Sequence, residues 1–348
     1  MSGDPYEIVR YTPQLAAGTA ALRALLTPTN NPVEAAQVLD WKYRNNPYLP
    51  EPLIYLALFE GRPVAMRGFF GSLWEIAGAR RIVPCAGDLI VAPEHRDKGL
   101  IARIMQFAEA DLTVRGFTHI FSMSGGPVTT MNALTQKFRR VASIDERVLG
   151  DPQTTDQSWG AGDRPFVPFD VMMRKKRLLQ RLTYSEAPHP LAMAALIRRL
   201  PRSGGLRHVR DPRYLAWRYR NPIVDFRFLY SGRAWLDGYL VLAAQRDAPD
   251  LPVYVLDWEG TSRAVKQRLL ETAIATGRFK RLSIWSFGYG AEDRDTIVRC
   301  GFAAEKQEGV LGQLGLSVLV KPLAPADGAD PTLNPASWDF RMLYSDYC

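Results

Sequence analysis

Apolar residues recur at helical spacing over 15–26 and again over 33–39, separated by the polar, Pro-bounded stretch 27–32. This predicts two short helices behind a short apolar stretch that starts near residue 6. From residue 53 the period changes. Residues 53–59 and 64–70 are apolar runs of strand length flanking Glu60-Gly61-Arg62-Pro63, which predicts a hairpin. A turn over 77–80 leads into a further strand, 82–91, interrupted by Gly87. The chain then passes through Pro93 and a charged turn into an amphipathic helix ending near Val114, with Gly116 placed as the residue that stops it. Beyond it the pattern predicts a strand over 118–123, a loop over 124–127, a helix over 130–139, and strands over 141–149 and 166–173 around a polar, Gly-rich loop at 150–164.

The same order then recurs. Trp217-Arg218-Tyr219-Arg220-Asn221-Pro222 restates Trp41-Lys42-Tyr43-Arg44-Asn45-Asn46-Pro47 with one residue fewer. Behind it come a hairpin (226–230 and 238–244), a strand (253–258) and a helix (262–276) stopped at Gly277. Residues 281–287 then correspond to 118–123, 293–300 to the helix from 130, and 316–321 to 171–174. One unit is used twice, with the boundary near 180–205, where Pro, Gly and Ser supply turn chemistry. A Pro/Ala/Asp-rich stretch over 322–335 is expected to be extended and to deliver the aromatic terminus 337–348, which should dock because its rings gain more from burial than from solvent. The recurrence of the Trp-Tyr segments argues for packing over nucleic-acid contact.

Composition narrows the function classes. Of 348 residues 47% are hydrophobic and 23% charged, which fits ordinary globular material divided into two domains. Nowhere do about 18 apolar residues run together, so no membrane-spanning helix is expected; residues 1–10 lack a basic region followed by an apolar one, and the expected location is the cytoplasm. Cys85, Cys300 and Cys348 form no CxxC pair, and His95, His119, His189 and His208 include no HExxH, so no metal is expected. The net charge of +8 suits an anionic ligand, surface or nucleic acid without choosing among them. Its densest cluster, Arg174–Arg177 with Arg181, reads chiefly as a solvated face.

The chemistry concentrates at Arg96-Asp97-Lys98-Gly99-Leu100-Ile101. A glycine sits there at a tight turn with a helix directly behind, and the unpaired N–H groups of a helix start form an anion site. No GxxxxGK[ST] or GxGxxG is present, so a nucleotide-triphosphate or dinucleotide loop is not indicated. The element order, with Val91-Ala92-Pro93-Glu94-His95-Arg96-Asp97-Lys98-Gly99-Leu100-Ile101-Ala102 at the strand-to-helix turn, resembles the GNAT (Gcn5-related N-acetyltransferase) superfamily over about 5–178 and, more faintly, over about 205–322. The implied fold is α/β (α+β): two tandem GNAT-like domains, 1–180 and 181–348, each a mixed, mostly antiparallel central sheet flanked by helices.

The resemblance implies that Arg96, Lys98, Gly99, Leu100, Ile101 and Ala102 cradle the pyrophosphate of acetyl-coenzyme A or another acyl-coenzyme A. It implies too that the strand Leu89, Ile90, Val91 pairs with the pantetheine arm. Two departures stand out: Ile101 occupies a position where the family has a small residue, and no tyrosine stands near Thr135, where the family often keeps its acid. Asp88, on the strand entering the turn, is the candidate base, while Ser122 and Ser124 are candidates for lining the gap beside it. His119 reads as an edge residue, and Glu94 and His95 are expected to face solvent. In the second copy Asp257-Trp258-Glu259-Gly260-Thr261-Ser262-Arg263 places acidic residues at the turn, which would repel a pyrophosphate and leaves one cofactor site. Cys300-Gly301-Phe302 resembles the family's Leu-Gly-Phe. The implied activity is N-acylation of a small amine or amino-sugar acceptor by direct attack on the thioester. Two alternatives are carried with it: an aminoacyl-tRNA dependent transferase of similar tandem fold, and a non-catalytic coenzyme A-binding protein.

Overall fold

Two sheets built from a recurring order of elements form the molecule, seen in a computed structural model that describes residues 4–27, 30–150, 182–201, 205–233, 235–246, 248, 250–276, 279–305, 315–324 and 329–346. The expected strands at 166–173 and 171–174, the loop at 150–164 from residue 151 on, the basic cluster 174–177 with Arg181, and Gly277 lie outside the described residues. The first half begins with β1 (Tyr6–Arg10), α1 (Ala16–Ala24) and α2 (Pro32–Leu39). Asn31 caps α2 by accepting from the Val33 N–H at 3.0 Å. Strands β2 (Leu53–Phe59), β3 (Arg62–Ile76) and β4 (Ala79–Val91) follow, then α3 (Leu100–Val114), β5 (His119–Gly125), α4 (Pro127–Thr135), β6 (Arg139–Ser143) and β7 (Glu146–Gly150). Helix α4 starts earlier than the pattern predicts because extended Gly126 and Pro127 open it, and Lys137 at φ 64° stops any extension.

The second half contains β8 (Leu182–Ser185), α5 (Pro190–Arg199), β9 (Leu206–His208) and α6 (Pro212–Arg218). It continues with β10 (Val224–Gly232), β11 (Leu236–Gln245), β12 (Val253–Gly260), α7 (Arg263–Thr276) and β13 (Arg281–Trp285). Helix α8 (Ala291–Arg299), β14 (Ala303–Ala304), β15 (Ser317–Pro322) and β16 (Trp338–Asp339) complete it. No helix among the described residues is long and apolar enough to cross a membrane.

Sheet membership does not follow chain order. The first sheet runs β1-β2-β3-β4-β5-β15-β6, with β9 and β16 attached beyond β3, and the second runs β14-β7-β13-β12-β11-β10-β8. Each half therefore lends the other a strand. Strand β15 lies antiparallel between β5 and β6, with Leu319 opposite Ser122 and Val318 opposite Ala142. In exchange β7 pairs antiparallel with β13, Val148 opposite Ser283. This corrects two expectations: 316–321 fills the first sheet instead of closing the second, and 141–149 is two strands. The break falls at Ile144-Asp145, where the Ile144 N–H donates to Leu316 at 2.8 Å and the Asp145 carbonyl accepts from Ser286 at 2.8 Å, one residue bonded to each sheet.

The repeated Trp-Tyr segments meet one another. Trp41 and Trp217 stack at 5.2 Å and 14°, and each indole N–H donates to the other's backbone carbonyl, at 2.8 and 2.7 Å. A buried aromatic pair with both polar edges satisfied is a strong packing unit. The aromatic terminus docks against the same core: Phe340, Leu343 and Tyr344 are fully buried, and the Leu343 carbonyl accepts from Tyr214 at 2.8 Å and Arg218 at 3.1 Å.

Candidate functional site

Strands β4 and β5 run parallel but pair only at Cys85 and Phe121. Past that point they part. Strand β4 stays with β3 on its other side, Leu89 opposite Arg67, Ile90 opposite Met66 and Val91 opposite Ala65, while β5 stays with β15. The main chain of Leu89, Ile90 and Val91 thus forms one wall of a gap whose other wall carries Ser122, buried, and Ser124, half-buried. A bulge sits at its mouth: between the Arg67–Leu89 and Phe69–Ala86 pairs, Gly68 faces both Gly87 and Asp88.

The turn beyond β4 is open toward solvent. After one 3-10 turn, Pro93–His95, Asp97 and Gly99 adopt φ of 60° and 67°, and α3 starts at Leu100 without a side-chain cap. The first N–H groups of α3 have no intrahelical acceptor, and left-handed residues just before them form a nest for an anion. A Cβ added at Gly99 would meet nothing within 4 Å, so glycine is needed there for its φ and not for space. Arg96, Lys98 and Ala102 are exposed beside it. Ile101, the departure from the family pattern, packs half-buried against the core around Leu100 and Ile104; its branch is anchored in the core that α3 covers. His95 does not face solvent as expected. Its Nδ1 lies 3.0 Å from the Tyr6 hydroxyl and its ring contacts Tyr6 and Phe59, which ties the turn to β1.

Behind the bulge lies a charged cluster that sequence reading did not assemble. Asp88 accepts from Lys42 Nζ at 3.2 Å, Arg23 Nε at 3.3 Å and the Tyr43 hydroxyl at 2.9 Å. Burial opposes its ionisation, but Lys42, Arg23 and the Tyr43 hydrogen bond outweigh burial and hold the carboxyl well below the usual range. A carboxylate so committed is a poor proton acceptor at neutral pH, which argues against Asp88 as the expected base. Lys42 also bonds Asp346 at 2.5 Å, so the end of the chain reaches this cluster. Arg67 donates to the Gly87 carbonyl at 3.0 Å. Glycines make the close approach possible: a Cβ at Gly68 would lie 2.2 Å from the Tyr43 hydroxyl, and one at Gly87 2.7 Å from Lys42 Nζ. The available sequence signal was a repeated Lys/Arg-Tyr motif in a chain with glycines on two neighbouring strands.

The other candidates are placed plainly. Thr135 is exposed and donates to the Asn132 carbonyl at 2.7 Å, and Tyr43, whose phenol is pushed up by burial and by Asp88, points its proton at Asp88. His119 sits at the far end of β5 from the gap, bonded to Thr118 at 2.9 Å and to Asp330 of the C-terminal segment at 3.1 Å, a satisfied edge residue.

In the second copy β12 and β13 also pair in parallel, over Val253–Val255, and then part. Here the gap's residues are used internally. Asp257 and Glu259 lie within β12, not in a turn, and are buried. Arg210 spans them at 2.7 and 2.8 Å, and Arg341 of the C-terminal segment bonds Glu259 at 3.0 Å while lying 4.2 Å from the Tyr289 ring centre. Only Thr261 and Ser262 separate β12 from α7, too short for a loop like 92–99. The second turn differs by lacking a nest and by enclosed, neutralised carboxylates; exposed acidic repulsion is not the reason.

No family model matches the sequence, and no curated protein does. Among solved structures, a conserved protein of unknown function from Enterococcus faecalis V583 superposes with a TM-score of 0.60 at 12% identity, over 91% of this chain and 73% of that one. A GCN5-related N-acetyltransferase from Anabaena variabilis ATCC 29413 gives 0.58 at 11% identity, over 92% and 73%. A tandem GNAT protein from the clavulanic acid biosynthesis pathway gives 0.53 at 12% identity over 92% of this chain and all (100%) of that one. The fold is therefore the one that these N-acetyltransferase structures share. This chain carries it twice, with the closing strands exchanged.

Proposed function

We propose that the protein is an acyl-coenzyme A dependent N-acyltransferase with one cofactor site, in the first half, acting on a small amine or amino sugar. The observation that carries this reading is the pairing of a parted β4–β5 gap with an open, glycine-turned helix start in the first copy only. Arg96, Lys98 and the main chain of Gly99, Leu100, Ile101 and Ala102 would hold the pyrophosphate, where helix-start partial charge and two cations favour it. The unpaired main chain of Leu89–Val91 would align the pantetheine arm as an added strand would be aligned. When bound, acyl-coenzyme A supplies the thioester whose C–S bond breaks as the acceptor's C–N bond forms.

The chain's own residues then orient and deprotonate the acceptor. Asp88 fixes Lys42 and Tyr43 behind the gap. Among the described residues Asp346 holds one donor, Lys42, where Asp88 holds three, and it keeps more contact with water, 21% of its side chain against 7%, which favours it as the group that passes a proton from an acceptor ammonium to solvent. The similar solved proteins described as N-acetyltransferases support the same chemistry. Isothermal titration with acetyl- and longer acyl-coenzyme A should show one site per chain, lost in Gly99→Glu, and a panel of amines and amino sugars should release free thiol. Absence of binding in the wild type overturns the reading; binding without thiol release across the panel favours a coenzyme A carrier.

A further inference from the structure

A second cavity, of about 350 Å³, lies where α5 crosses the outer end of the first sheet. It is remote from the gap: Glu75 lines it, eight residues along β3 from Arg67, or about 26 Å at a strand rise of about 3.3 Å. The sheet register writes its charge. Glu75 stands opposite Arg80 on β4 and opposite Arg207 on β9, so three strands present a row of two guanidiniums about one carboxylate. Arg198 of α5 and Arg210, just past β9, add two more guanidiniums, and the remaining carboxylate, Asp211, is spent capping α6 at 2.8 Å.

Two features show unmet demand. Among the described residues Arg80 and Arg198 face the cavity's exposed side with no carboxylate partner, and Arg210 is buried with its Nε lacking any acceptor although its other nitrogens hold Asp257 and Glu259. Arg207 donates to the Ile197 carbonyl at 3.1 Å and stands 4.0 Å from Asp339, so the unmet demand lies with Arg80, Arg198 and the Nε of Arg210, guanidinium donors of the kind that carboxylate and phosphate groups satisfy in pairs. The volume falls at the lower end of small-molecule sites. We propose that this cavity binds a small molecule bearing two or more carboxylate or phosphate groups, at a site separate from the acyl-coenzyme A turn.

The test uses full-length protein carrying Gly99→Glu, so that the turn cannot answer for the cavity. Thermal unfolding is followed with citrate and, separately, with inorganic pyrophosphate, each against sodium chloride at matched ionic strength. A saturating anion should raise Tm by about 3 °C; the citrate and pyrophosphate arms assign the preferred group. Adding Arg80→Ala and Arg198→Ala, both on exposed side chains, should remove the shift, while Arg80→Lys with Arg198→Lys should keep part of it. An equal shift from matched sodium chloride, or a shift that survives the double alanine change, overturns the proposal.

Discussion

Replacing Asp88 with Asn removes the one charge that three donors share behind the bulge. The amide oxygen can still accept one hydrogen bond, but the amide nitrogen becomes a donor facing Lys42 or Arg23. Lys42 retains Asp346; Arg23 retains no carboxylate among the described residues. Taking one partner from a buried ion pair costs about 3–5 kcal/mol. With an unfolding entropy of about 2.1 cal/mol/K per residue over 348 residues, each kcal/mol is worth ~1.4 °C, so Tm at pH 7 should fall by about 4–7 °C. The pH dependence carries a sign. A carboxyl held below its unfolded value contributes stability that is present above the unfolded pKa of about 3.9 and is lost as pH falls toward the folded value. The difference between wild type and variant should therefore be constant from pH 6 to 8 and shrink below about pH 4. Adding Arg23→Met should recover part of the loss, since it removes the cation that the first change leaves unpaired. Calorimetry at several pH values decides: an unchanged or raised Tm at pH 7, or an offset that persists undiminished into acid, refutes the account of the cluster.

The remaining predictions follow from the same geometry. Gly99→Asn, able to hold a left-handed φ, should bind acyl-coenzyme A within about threefold of wild type, whereas Gly99→Glu should lose at least about tenfold, since it strains the turn and sets a negative charge in the nest; titration calorimetry separates them. Trp41→Ala should cost about 3–5 kcal/mol, and Trp41→Ala with Trp217→Ala should cost clearly less than the sum, because each indole serves the other; denaturant melts measure both. Arg341→Ala leaves Glu259 to Arg210 alone and should destabilise by about 3 kcal/mol without changing acyl-coenzyme A affinity, because the second gap is a structural joint. Asp346→Asn should lower kcat at neutral pH while leaving cofactor affinity near wild type, read by thiol release against titration.

Much of the plan was legible along the chain. Period-two and helical patterns found the main strands and helices of both halves, though not β8, α5, β9 or α6 around the expected boundary; the twin Trp-Tyr motifs exposed the duplication, and the glycine before α3 marked the turn, because these features are written in local backbone preference and short-range spacing. The aromatic terminus announced its own burial for the same reason: apolar area alone dictates it.

What only the tertiary structure decided was which distant parts meet. The 141–149 run reads as one strand, and nothing within it says that Ile144 and Asp145 bond to different sheets; that choice is made by Leu316 and Ser286, far away in sequence. Asp88 on paper is an acid beside a cofactor turn, and only the approach of Arg23, Lys42 and Tyr43 over Gly68 turns it into a fixed anion. Likewise Asp257 and Glu259 read as a repelling turn until Arg210 and Arg341 enclose them within β12. Local sequence sets periodicity and turn chemistry; the charge state and partners of a buried group depend on desolvation and on residues brought from elsewhere, and those are properties of the fold.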